Sequence, residues 1–201
     1  MRTVASELAL DADSIKGARF CVIACPIDPA TAAADAKAAL ATLRALHPDA
    51  AHFGFAWRSG PVPADFGWSD GGEPIGTAGK SILQRIDHIG VLNTLVAVAR
   101  YPGTQKLSTS DLAKGYGDAA RVALAAATIV PFVPTTRLAL TFDYAFSGPV
   151  QGALAAHGAA HEGADYGESV RLVVRVASER VAALEGALRD VSSGRVVIEI
   201  L

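Results

Sequence analysis

The chain has 201 residues, 51% of them hydrophobic and 19% charged, with 18 Lys and Arg against 20 Asp and Glu. That length suffices for one large or two small domains with real cores, and a net charge of −2 excludes a broad basic surface, so any nucleic-acid contact has to be local. No uninterrupted run of about 18 apolar residues occurs, which excludes a membrane-spanning helix, and the opening "MRTVASELALDADSIKG" gathers acids too early for a secretory signal; the expected location is the cytoplasm.

In chain order, "ARFCVIACPID" (18–28) is a central-strand candidate. A two-residue period places Cys21 and Cys25 on one face of it, and since C-x-x-x-C lacks the usual spacing of a redox or metal pair, two buried free thiols are expected. Asp28-Pro29 predicts an N-cap and first helical residue. The following helix carries Ala33, Ala36, Leu40 and Leu43 on its inner stripe and ends near His47-Pro48. "AAHFGFAWR" alternates as a strand, and "SGPVPADFGWSDGGEP" predicts a long functional loop. Thr77 then caps a helix bearing Ile82, Leu83, Ile86 and Ile89, with Gly90 as its stop.

"TLVAVARYP" is the most apolar strand of the chain. Ser108 and Asp111 form a capping-box-like start for a helix through Leu112, Tyr116, Ala119, Ala120 and Ala123. Pro131 and Pro134 mark a boundary, so the expected domains are residues 1–130 and 134–201. Beyond it the pattern reads strand, helix, strand, strand, helix, strand, the split β-α-β-β-α-β sandwich of ferredoxin-like domains. The fold class is α+β. Leu172, Val174 and Val176 alternate with Val173 and Arg175, which suits a sheet with one face under helices and one open to a partner.

Residues 74–81, "PIGTAGKS", miss the phosphate-binding loop pattern G-x-x-x-x-G-K-[ST] by one residue, Pro74. A working loop of that kind needs a buried strand running into it and a second strand ending in Asp, and neither is present. What remains is a helix start with Gly76, Thr77, Gly79 and Lys80, where open amides and the helix dipole favour an anion; the plainer reading is a cap and a turn. Around it, Asp70, Glu73, Arg100, Tyr101 and Lys106 complete a candidate anion or ligand site. His52, Asp70 and Glu73 are candidates for an acid-base or metal cluster. The alternative is that Asp70 bonds to turn backbone while Glu73 pairs with Arg100 or Lys106. Arg58, Lys80, Arg100, Lys106 and Lys114, interleaved with Trp57, Trp68, Tyr101 and Tyr116, are candidates for a basic and aromatic surface facing RNA.

The blocks "PDAAHFGFAWR", "WSDGGEPIGTAGKSIL", "LNTLVAVARYPGTQKL" and "DLAKGYGDAARVAL" resemble, in order and spacing, the signature of the IMPACT family of YigZ-like proteins. The match runs through Ser69, Asp70 and Glu73 to Gly79, and through His52, Arg100, Tyr101, Gly103, Lys106 and Tyr116. It departs at Gly71 where the family has a second Asp, at Pro102, Thr104, Ser108, Ser110 and Asp111 in the glycine-rich stretch, and at Phe53. The resemblance implies a first domain like the second domain of a small-subunit ribosomal protein and a tail like the last domain of elongation factor G. It also implies a non-enzymatic binding protein linked to translation, with RNA, the ribosome or a regulatory protein as partner and no cofactor. The competing expectation is a hydrolase or phosphotransferase working at Gly76–Lys80.

Overall fold

A computed structural model describes residues 1–60 and 65–201. The chain is of the α+β class and forms two compact units, Met1–Phe132 and Val133–Leu201.

The first unit is built on a five-stranded, wholly antiparallel sheet. Its strands are β2 (Leu8–Ile15), β3 (Ala18–Pro26), β4 (His52–Ser59), β5 (Asp65–Ser69) and β6 (Thr94–Tyr101), ordered β2-β3-β6-β4-β5. The two most apolar segments thus lie inside the sheet, where both faces need apolar cover. Helix α1 (Ala32–Leu46) covers one face over Cys21, Ile23, Cys25, Leu95 and Ala97. Helices α2 (Gly79–Ile89) and α3 (Thr109–Ala126) cover the other over Phe20, Val22, Ala24, Val96 and Val98. On α2, Ile82 and Ile86 are fully buried, each contributing about 1.5–3 kcal/mol over exposure. Short strands β1 (Arg2–Val4) and β7 (Ile129–Pro131) pair with each other.

Several expectations hold. Cys21 and Cys25 are free and buried on one face; burial raises their thiols to about 11 and about 12, with Asp11 adding to the effect at Cys21 and Glu7 at Cys25. Gly90 ends α2 at a φ of 72°, its amide donating to Ile86 and Asp87 carbonyls. Ser108 and Asp111 form a full capping box.

Others need correction. α1 begins at Ala32 rather than Pro29, because Asp28 closes a turn by accepting from the Ala30 amide, while the Asp35 carboxylate accepts from the Asp28 amide. Its buried stripe is Ala32, Ala36, Ala39 and Leu43, one position off the predicted one at two places. The expected long loop contains the edge strand β5, and its residues 61–64 lie outside the described residues.

The second unit runs β8 (Thr135–Phe142), α4 (Ser147–Ala156), β9 (Ala160–Tyr166), β10 (Val170–Ala177), α5 (Val181–Ser192) and β11 (Val197–Ile200), a β-α-β-β-α-β order. The sheet is antiparallel and ordered β11-β8-β10-β9. Leu138, Leu140, Leu172, Val174 and Val176 face α4 and α5 and pack on Val150, Leu154, Leu184 and Leu188. The alternate positions Arg137, Arg171, Val173 and Arg175 face away from both helices.

Candidate functional site

The loop between β5 and α2 brings two carboxylates to two different tasks. Asp70 follows the last residue of β5, and the backbone curls so that its carboxylate lies over the start of α2. One oxygen accepts from the Gly76 amide at 2.7 Å, and the other from the Ala78 and Gly79 amides at 2.9 Å each. A helix N-terminus leaves amides without intrahelical partners and carries positive potential, so a carboxylate there is held by charge-assisted bonds. Thr77 does not cap: its hydroxyl donates to the Pro74 carbonyl at 2.7 Å. Gly79 is required by close approach, since a Cβ would lie 2.6 Å from the Ser69 carbonyl oxygen.

The open amide site expected at Gly76, Thr77, Gly79 and Lys80 is therefore corrected: the protein's own Asp70 supplies the anion. Lys80 is exposed and makes no ion pair or hydrogen bond with a described residue. The hydrolase or phosphotransferase reading of Gly76–Lys80 loses its binding element with it.

Glu73 turns the other way, under the sheet. Its Oε1 accepts from Arg100 Nε at 2.5 Å and from the Tyr116 hydroxyl at 2.9 Å, with only 3% of the Glu73 side chain and 10% of the Arg100 side chain exposed. Burial, and then the Glu73 charge, push the Tyr116 hydroxyl far above the ordinary range, so it stays a donor. Register explains the meeting. Arg100 on β6 pairs with His52 on β4, and Tyr116 lies on the buried stripe of α3 against Phe20. The plainer alternative, Asp70 bonded to backbone and Glu73 paired with Arg100, is what the fold contains.

Above this ion pair lies a cleft of about 430 Å³. His52 and Gly72 line it on one side, the 102–107 loop with Lys106 on the other, and Glu73 and Arg100 at its base. His52 sits with Nδ1 3.4 Å from the Gly71 carbonyl. The proposed acid-base or metal trio does not assemble, because Asp70 is spent on amides and among the described residues no group of three or more His, Cys, Asp and Glu is placed to hold a metal. Gly71, where a second loop carboxylate was missing, has a φ of 59° and its Cβ position is only 1.9 Å from the Phe53 carbonyl oxygen. This backbone has no room for a side chain there.

Tyr101 belongs elsewhere. Strand alternation turns it to the α1 face, where its hydroxyl meets His47 Nδ1 at 3.1 Å and Arg19 lies over its ring. The basic and aromatic surface is likewise dispersed. Arg58 pairs with Asp87 and Lys114 with Asp118, Arg100 is internal, and Trp57 and Tyr116 are buried. Of the sequence candidates, His52, Glu73, Arg100 and Lys106 share one cleft; Tyr116 joins as the second donor to Glu73, a role its helical stripe position did not disclose. Phe66, exposed on β5 beneath Arg58, had no sequence signal beyond the loop reading.

The Impact N-terminal domain family matches residues 16–124, more than half of the chain. The chain belongs to the IMPACT family. A second family, Domain of unknown function (DUF1949), matches residues 140–195. The chain is similar to IMPACT family member YigZ of Escherichia coli (strain K12), 35% identical with 90% of this chain and 89% of that protein covered. It is also similar to an IMPACT family member in the pol 5′ region of Thermus thermophilus, 34% identical over 92% of this chain and 99% of that one. A crystal structure of a hypothetical protein superposes with a TM-score of 0.75 at 32% identity, covering 100% of this chain and 96% of the other. The loop carrying Asp70 and Glu73 and the strand carrying Arg100 thus lie within the family's N-terminal domain.

Proposed function

We propose that the protein is a non-enzymatic binding protein of translation, docking the ribosome through the open sheet face of residues 133–201. The observation that carries this reading is that face itself. Arg137, Arg171 and Arg175 project from it half-exposed, and their carboxylate partners Glu162 and Glu199 are surface residues too. Exposed ion pairs of this kind are worth about 0–1 kcal/mol, so a partner's phosphates or carboxylates exchange for them at little cost. Val173 and the exposed Val197 lie among the charges and give the face an apolar element.

The strand order β11-β8-β10-β9 supports a ferredoxin-like assignment, and with it the likeness to the last domain of elongation factor G. A first unit like the second domain of a small-subunit ribosomal protein points the same way, by fold analogy. Because Glu162 and Glu199 offset two of the three arginine charges, the surface suits a mixed ribonucleoprotein partner better than bare RNA, whose binding needs a larger excess of positive charge.

Sedimentation of the whole chain with ribosomes through a sucrose cushion tests this. The expected result is co-sedimentation that weakens at high salt and is lost in the Arg137→Glu, Arg171→Glu, Arg175→Glu triple variant. Absence of the protein from the ribosomal pellet at low salt overturns the reading, and equal affinity for free RNA moves the partner to RNA alone.

A further inference from the structure

The guanidinium of Arg100 has five N–H donors and no acceptor capacity, yet only Nε is bonded, to Glu73. No described residue accepts from its two terminal amino groups in good hydrogen-bond geometry, although the Tyr116 hydroxyl lies beside the guanidinium on the Glu73 side. No buried side-chain polar atom among the described residues lacks a partner, so those amino groups reach the open space of the cleft. Arg100 is only 9% exposed, and its Nε is pinned by a carboxylate that also takes the Tyr116 hydroxyl. The arrangement fixes a fork of donors at the base of a cavity.

We infer that the cleft is a binding site for the terminal oxyanion of a small ligand, a phosphate or carboxylate group seated on the Arg100 amino groups with Lys106 closing over it. Three features select that chemistry. The Glu73–Arg100 pair is neutral as a unit, so Lys106 gives the site its net positive charge. A planar, prepositioned guanidinium matches a phosphate or carboxylate edge by paired hydrogen bonds. The cleft, at about 430 Å³, falls in the range that holds small molecules, about 300–1,000 Å³, and Leu107 and Leu112 line it as apolar walls for the body of the ligand. Because Arg100 is only 9% exposed, a terminal group reaches it more readily than a phosphate within a continuous nucleic-acid backbone. The site is independent of the sheet face assigned to the ribosome.

The test is a titration of the ¹⁵N-labelled whole chain, followed by amide shifts, with adenosine 5′-monophosphate, adenosine, inorganic phosphate and glutarate. Saturable shifts at residues 102–107 are expected with oxyanions and not with adenosine, and the stronger of the phosphate and glutarate arms identifies the headgroup. Lys106→Ala, which changes only an exposed residue, weakens binding about tenfold, the size of one lost charge-assisted bond. Arg100→Lys, which keeps the charge opposite Glu73 but not the fork, weakens it by at least as much. Lys80→Ala leaves it unchanged. Shifts with adenosine equal to those with its monophosphate, equal affinity in Lys106→Ala, or no shift with any oxyanion at tens of millimolar overturns the site.

Discussion

Asp70 and Glu73 stand three residues apart in one loop, and the fold gives them opposite fates. Asp70 is consumed by backbone: the amides of Gly76, Ala78 and Gly79 converge on it, so the protein's own carboxylate occupies the place at the start of α2 where an anion would sit. Glu73 is consumed by a side chain, but the guanidinium it holds retains free donors that face a cleft. A carboxylate that caps closes a site, whereas a carboxylate that positions an arginine opens one. Proximity in sequence to glycines and a lysine says nothing about which occurs.

The strongest way to break this contrast is Glu73→Ala. It leaves Arg100 as an uncompensated, nearly buried charge and orphans the Tyr116 hydroxyl, so urea unfolding should show a loss of about 3–5 kcal/mol. A loss below about 1 kcal/mol, the value typical of exposed pairs, would mean that Arg100 finds water freely and is no fixed fork. Asp70→Ala comes next, with a loss of about 1–2 kcal/mol for a helix cap. It also opens the amides of Gly76, Ala78 and Gly79, so sulfate should stabilise this variant more than the parent chain in thermal melts. Equal sulfate effects in both would show that Asp70 does not fill the helix end.

The central architecture was legible because its signals were redundant. Periodicity, the Ser108 and Asp111 box and Gly90 all point to the same elements in "TLVAVARYP", α2 and α3, and every strand and helix of the second unit follows from alternation between turn residues. β2 went unread because its alternation, Leu8, Leu10 and Ala12 against Asp11 and Asp13, is that of a half-exposed edge. β1 and β7 are three residues each and exist only as partners of one another. The site was half legible. Residue types singled out His52, Glu73, Arg100 and Lys106, but the competition for the α2 amides is a matter of loop curvature. It is set by Gly71 and Gly76 at positive φ, which no spacing rule encodes. Tyr101 was misplaced for a simpler reason: it follows Arg100 on a strand, so it points to the opposite face.

The smallest expected effect concerns a third carboxylate, Asp111, which combines both fates: it caps α3 through Ser108 and also binds a cation, Lys16, at 2.7 Å. The Lys16 ammonium, followed by the Ser108 hydroxyl and amide, holds its carboxyl far below the ordinary carboxylate range. The folded-state value is depressed, so the stabilisation is present above the unfolded value of about 3.9 and is lost as pH falls below it. Asp111→Asn should therefore lower the melting temperature at pH 7 and narrow the gap between pH 7 and pH 3 relative to the parent chain. Added salt should shrink the pH 7 difference, because the lysine is half exposed and screened. If the variant and parent lose stability in parallel across that acid range, the charge on Asp111 contributes nothing, either to the cap at Ser108 or to the pair with Lys16.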